Sequence, residues 1–311
     1  MDNSIITDNE IESVIPILQK VLWNKDARKK IQNFGINISP ANFYSDIPSI
    51  EEIEDFFNNP KSKMPYFNSK VFNEQLLKEN LEKLIYFSDE FNPVIEEVDA
   101  KGKYFWNNTQ FSFSDAMSYY CFIRMIKPSN IVEIGSGFST LITIEATNYN
   151  NNNCSIDCIE PFPRNFLVDN DQINLHNIKA QDLEINFLND TLKDGDILFI
   201  DSTHTVKNGS DCLSIYLNLL PQIKHNIYVH VHDVFLPFAL PKEWQLEHQI
   251  FWTEQYLLLA FLIDNPKASV IYGSAINAEL FPEIMNKMMN EKALSGGSSI
   301  WFKYNGKENI K

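Results

Sequence analysis

Basic residues are scarce in this chain. Lys and Arg number 26 against 41 Asp and Glu, a net charge of -15. Nucleic acids and anionic membrane surfaces are bound mainly through Lys and Arg, so neither is an expected partner. Long apolar runs are missing as well. The longest, Tyr256 to Ile263, is far short of the roughly 20 residues that a membrane-spanning helix needs. Met1 to Ser4 shows no basic stretch leading into an apolar one, so no secretory signal is expected, and a cytoplasmic location is. The four cysteines, Cys121, Cys154, Cys158 and Cys212, form no C-x-x-C pair and read as free thiols of a reducing compartment. There is no internal repeat and no Pro- or Gly-rich linker.

What is present is ordinary globular usage, 44% hydrophobic and 22% charged over 311 residues. At about 150 residues per domain, that length suggests one large domain with an appendage. Residues 1–105 read as an N-terminal helical cap, without a convincing strand. Ile15, Leu18 and Leu22 make one apolar stripe. Leu76, Leu77, Leu81, Leu84 and Ile85 make a better one. Pro40, Pro48, Pro60 and Pro65 punctuate the stretch between them.

Residues 106–311 change pattern. Asp115 to Ile126 is helical and Pro128 closes it. Strands follow at Ile131 to Ile134, Ser155 to Ile159, Leu175 to Ala180, Asp196 to Ile200 and Ile227 to Val231. Helices are expected at Ser139 to Ala146, Leu183 to Leu192 and Ser210 to Leu220. The Asn-rich tract Asn148 to Asn153 reads as a solvated loop. A helix at Phe251 to Ile263 precedes two late strands, Ser269 to Tyr272 and Ile300 to Lys303. Between them, Ile276 to Lys292 is helical, its Met285, Met288 and Met289 suited to packing a core. Alternating strands and helices imply right-handed crossovers, hence an α/β fold with a doubly wound, seven-stranded, mostly parallel sheet.

The segment from Glu133 through Gly135, Ser136 and Gly137 to Ser139 joins a buried strand to a helix. Glycines there let the backbone turn sharply and approach a ligand closely. The dinucleotide fingerprint needs a third small residue, and Thr140 stands in its place. The Lys of a phosphate-cradling loop is also missing. Glu160 directly follows the second strand, twenty-five residues after Gly135. A solvated Glu before a proline would look the same, but a carboxylate at that strand end suits the two hydroxyls of a ribose.

This order of residues, continued by Asp196 to Asp201, resembles a class I S-adenosylmethionine-dependent methyltransferase over roughly residues 110–305. The late strand pair fits the extra antiparallel strand of that fold. The resemblance implies S-adenosylmethionine as cofactor, held by Glu133, Gly135, Ser136, Gly137 and Ser139, with Glu160 on the ribose. Asp182 matches the position that contacts adenine, although a surface Asp at a helix start would read alike.

Two clusters fall at strand ends, where open α/β sheets bind ligands. One is Asp201 to His204. The other is His230 to Asp233, where strand alternation puts His230 and His232 on one face. A His near its ordinary pKa suits removal of an acceptor proton. The first cluster resembles the Asp-x-x-His of metal-dependent sugar O-methyltransferases, in which the Asp binds the metal and the His is the base. His204 is therefore the expected general base, with Asp201 and His232 as catalytic partners. His232-Asp233 stands where that family has a second acidic pair, so Asp201 and Asp233 are the expected holders of Mg²⁺ or another divalent cation. Trp252, Glu254 and Tyr256 open a helix and can shape an acceptor pocket or pack inward; Tyr104 to Trp106 invite the same two readings. Pro237, Pro241 and Trp244 mark a loop able to cover the site. The expected reaction is methyl transfer to a hydroxyl of a small molecule or sugar. Two alternatives stand beside it: an NAD-dependent oxidoreductase, and a non-catalytic S-adenosylmethionine-binding interaction protein.

Overall fold

The computed structural model describes residues 6–309. The signal-free reading of Met1 to Ser4 and the outer ends of both expected regions lie outside the described residues. No helix among those described is long and apolar enough to cross a membrane.

The chain divides into two compact units, Met1–Asn59 and Pro60–Lys311. The first unit holds the helices Asp8–Leu22, Lys25–Gln32 and Ile50–Asn58. Their starts are written in the sequence. Thr7 with Glu10, and Ser49 with Glu52, form reciprocal capping boxes, and Asn24 accepts the Ala27 N–H.

The boundary expected at residue 105 falls instead at residue 59. The Glu74–Ser88 helix belongs to the second unit, because its stripe of Leu77, Leu81 and Leu84 is fully buried there. Leu81 and Leu84 share a core with Phe122, Met285 and Trp301. Periodicity reveals that a helix has an apolar face but not what the face meets.

The second unit is built on seven strands: β1 (Asn130–Ile134), β2 (Ser155–Ile159), β3 (Asn174–His176), β4 (Ile197–Ile200), β5 (Asn226–Val231), β6 (Ala268–Gly273) and β7 (Ile300–Asn305). Their order is β3-β2-β1-β4-β5-β7-β6. The first five run parallel, and β7 lies antiparallel to both β5 and β6. The expected doubly wound, mostly parallel sheet is what forms. β3 has three residues where six were expected. The Phe138–Asn150 helix runs on into the Asn-rich tract expected as loop, and Asn151 ends it in the left-handed conformation. The helical stretch expected over 276–292 breaks at Pro282, and Met285, Met288 and Met289 are buried.

The Phe113–Ile126 helix is buried from Ser114 through Arg124. A helix apolar nearly all round is enclosed by protein rather than laid on a surface. All four cysteines are free, three of them buried.

Candidate active site

Strand register builds the site. Ile159 of β2, Ile134 of β1, Ile200 of β4 and Val231 of β5 are level across the sheet. The next residue of each chain segment is therefore level too: Glu160, Gly135, Asp201 and His232. Backbone bonds continue past the strands to hold them. Gly135 N–H donates to Ile159 O at 3.0 Å, Asp201 N–H to Ile134 O at 2.8 Å, and His232 N–H to Ile200 O at 2.9 Å. The chain winds outward from β1 in one direction and from β4 in the other, so the row spans the topological switch point.

A cavity of about 1030 Å³ opens over this row. On one side stand Gly135, Ser136, Gly137, Ser139 and Glu160. Gly135 has φ +85, and a Cβ added to Gly137 would meet nothing within 4 Å. Glu160 accepts the Ser136 N–H at 3.2 Å and the Phe162 N–H at 2.8 Å, which fixes its carboxylate against the glycine turn.

Two of the residues expected to bind cofactor do not line the cavity. Glu133 is fully buried under the turn, where Tyr119, Thr140 and Thr143 hydroxyls donate to it at 2.9, 2.6 and 2.7 Å. Burial raises its carboxyl pKa against those three bonds. A strand-end Glu faces either the ligand or the following helix, and sequence does not say which. Asp182 is exposed on a short 3₁₀ turn, Ala180–Asp182, outside the cavity lining.

On the other side the ionisable groups gather. Asp201, His204, His232 and Asp233 all line the cavity. His204 Nε2 lies 3.3 Å from Asp201 Oδ1 and 3.5 Å from Asp233 Oδ2. One donor atom each from Asp201, His204 and Asp233 fall within 4.8 Å of one another. His232 Nδ1 lies 3.5 Å from Asp201 and 3.7 Å from Asp233, yet makes no hydrogen bond although wholly buried. His204 and Asp233 both adopt left-handed backbone, φ +58 and +56. That conformation is costly for residues bearing a Cβ and is found where function or a tight turn demands it.

His230 does not join them. It is buried one layer down, stacked 4.3 Å from Trp301 and bonded to Ser299 Oγ at 2.8 Å. Alternation put it on the right face but too deep.

Two residues that the sequence reading left out also shape this side. Asp115, at the start of the Phe113–Ile126 helix, faces His232 Nε2 at 3.5 Å and accepts the Ser298 N–H at 2.8 Å. Ser298 Oγ donates to Asp233 Oδ1 at 2.9 Å. A helix-start Asp and a serine in a glycine-rich loop carry no signal of such roles. Trp252 lies 4.3 Å from the His204 ring, and Trp244 packs edge-on against it at 5.3 Å. Tyr256 is exposed and pairs with Tyr66, whereas Tyr104 to Trp106 are buried and pack inward.

Four carboxyl groups, those of Asp115, Asp201, Asp233 and Glu254, crowd the two imidazoles of His204 and His232. Burial opposes a charge on His204, but its bonds to Asp201 and Glu254 outweigh that and push its pKa up to about 10. Burial would raise Asp201, but His232 and His204 beside it hold its carboxyl down. Asp233 moves the other way, raised by burial.

Residues 132–234 match a family model described as a methyltransferase domain. That segment is similar to a methyltransferase domain, and the seven-stranded order is the one expected of the class I fold. The matched segment runs from β1 to just past β5 and contains the whole row of strand-end residues. An uncharacterised protein of Archaeoglobus fulgidus is 35% identical over 133 residues, 41% of this chain and 60% of that protein. The chain thus spans about 60% of the length of this curated relative. Among solved structures, the SAH-bound Podospora anserina methyltransferase PaMTH1 is 19% identical, covers 73% of this chain and 88% of that one, and gives a TM-score of 0.39. The plantazolicin methyltransferase BpumL with SAH is 13% identical, with 81% and 93% covered and a TM-score of 0.38. At such scores these likenesses carry no argument about function.

Proposed function

We propose that this chain transfers a methyl group from S-adenosylmethionine to a hydroxyl oxygen of a small molecule or sugar, at a site that also takes a divalent cation. The observation that carries the reading is a single cavity with two unlike halves. The glycine turn and Glu160 form one half, and the acid–imidazole cluster forms the other.

The first half fits the cofactor. The space beside Gly137 admits a ligand against the backbone, and Glu160 offers a charged acceptor for a ribose diol at the strand end. S-adenosylmethionine supplies a methyl group on a sulfonium, whose transfer asks mainly for in-line approach of the acceptor. Thr140, buried and bonded to Glu133, occupies the place of the third dinucleotide glycine, which disfavours NAD.

The second half fits a cation. Three donor atoms are mutually close, and the buried Nδ1 of His232 faces them unpartnered. Asp201, His204 and Asp233 would hold the ion, and a nitrogen donor shifts the preference from Mg²⁺ toward Mn²⁺ or Fe²⁺. Bound there, a divalent cation would supply Lewis-acid polarisation of the acceptor hydroxyl.

A second reading gives His204 the acceptor's proton instead. Its support is that His204 lines the cavity beside Trp252. One nitrogen cannot do both at once. Calorimetry with Mn²⁺ alone separates them: His204→Gln loses Mn²⁺ affinity if Nε2 is a ligand and keeps it if the ring is only the base. For the cofactor, micromolar NAD binding without S-adenosylhomocysteine binding would overturn the class of reaction. The net charge of -15 argues for a small, uncharged acceptor rather than a nucleic acid.

A further inference from the structure

We propose that Glu254 is a positioning residue, whose Oε2 holds the Nδ1 proton of His204 and thereby turns Nε2 toward Asp201 and Asp233. The proposal rests on the cation reading of the site for its main test, but its geometry stands independently.

Glu254 opens the Glu254–Leu262 helix and is 1% exposed. Its Oε2 lies 2.8 Å from His204 Nδ1 and receives the Ser202 Oγ proton at 2.8 Å. Its Oε1 receives the Tyr216 hydroxyl proton at 2.7 Å. A carboxylate that accepts at both oxygens requires a proton on Nδ1, so that nitrogen donates to Glu254. That leaves Nε2 as the nitrogen offered to Asp201 at 3.3 Å and Asp233 at 3.5 Å.

The same helix start also fixes the backbone that carries the ring. The N–H groups of Thr253 and Glu254 both donate to the His204 carbonyl, at 2.8 and 3.0 Å. Thr253 Oγ1 accepts the Val206 N–H at 2.8 Å, and Ser202 Oγ accepts the His204 N–H at 3.1 Å. His204 thus sits in its left-handed conformation with its carbonyl, its N–H and its Nδ1 all engaged. Only Nε2 faces the cluster. Across the ring, Trp252 at 4.3 Å limits tilting. This is the arrangement in which a carboxylate sets the orientation and tautomer of a working imidazole from behind.

A purely structural Glu254 would staple the loop after β4 to the helix and do nothing to the ring. Two measurements on the full chain distinguish the cases. The first is Mn²⁺ binding by calorimetry, with thermal midpoint and S-adenosylhomocysteine affinity recorded beside it. Glu254→Gln keeps the side-chain shape and should lower Mn²⁺ affinity about 10–100-fold. Its S-adenosylhomocysteine affinity should stay that of the unaltered chain. Unchanged Mn²⁺ affinity in this variant overturns the proposal.

The second measurement is proton and nitrogen NMR of the metal-free protein labelled at histidine. The Nδ1 proton of His204 should appear as a slowly exchanging downfield resonance, shifted in Glu254→Gln and lost in Glu254→Ala. If the unaltered chain binds no Mn²⁺, the cation reading fails and this resonance decides alone. Its absence from the unaltered chain, or its persistence in Glu254→Ala, rules the positioning role out.

Discussion

The backbone oxygen of Asp201 lies where a side chain on Gly135 would have to begin, 2.0 Å from the Cβ that an alanine would carry. The glycine turn and the acid at the end of β4 are thus packed directly against each other. The two halves of the cavity cannot shift independently at this point.

That contact separates two glycines that look alike in sequence. Gly135→Ala should cost about 2–5 kcal/mol, since left-handed backbone costs roughly 1–2 kcal/mol and overpacking about 1–3 kcal/mol. Gly137 has extended backbone and open space around a Cβ. Gly137→Ala should leave the thermal midpoint nearly unchanged and weaken S-adenosylhomocysteine binding. Thermal melts and calorimetry on both variants check the contrast; equal effects would contradict it.

Glu160 should answer to the cofactor alone. Losing a charged hydrogen-bond acceptor at the ribose should cost about 1.5–3 kcal/mol of binding. Calorimetry of Glu160→Gln with S-adenosylhomocysteine tests this.

Glu133 should behave in the opposite manner. Glu133→Ala strands the buried hydroxyls of Tyr119 and Thr140, each worth roughly 1–3 kcal/mol when unsatisfied, and leaves Thr143 only the Ser139 carbonyl. Urea unfolding should show a loss of several kcal/mol, whereas Glu160→Gln should unfold nearly as the parent does. A Glu133→Ala chain of normal stability would mean that those hydroxyls find other partners.

His204 makes stability depend on pH in the cation-free protein. Its folded pKa of about 10 exceeds the ordinary 6.5, so the imidazolium's contribution is complete below about 6.5. It is lost as pH rises through about 10. The thermal midpoint should therefore fall between those limits, and more shallowly in His204→Gln. Equal slopes in the two proteins would show that His204 is not held protonated.

Much of this site was legible in the sequence, for an identifiable reason. Glu160, Gly135, Asp201 and His232 each follow an apolar strand, and parallel register makes strand ends coincide. Linear pattern therefore becomes spatial neighbourhood with little further information. The failures lie where depth or long-range partners decide. Glu133 and His230 sit in strand ends but face inward layers. Asp115 reaches the site from a helix that sequence places far upstream. β3, at one edge of the sheet, contributes only the three residues Asn174–His176. The boundary expected at 105 was misjudged because the stripe of Leu77, Leu81 and Leu84 shows no partner until residues 113–126 and 268–302 fold against it.

The antiparallel insertion of β7 between β5 and β6 has a consequence for biosynthesis. During translation β6 leaves the ribosome before the strand that must separate it from β5. Until residues 300–305 emerge, β6 has no lateral neighbour and β5 is paired on its β4 side alone. Asp233 and Asp115 meanwhile wait for the hydroxyl and amide of Ser298. A nascent chain ending near residue 290 would already hold Gly135, Glu160 and Asp201, while the acid end of the cavity stayed unassembled. The glycine-turn half of the cavity thus precedes the acid half within the maturation of a single chain.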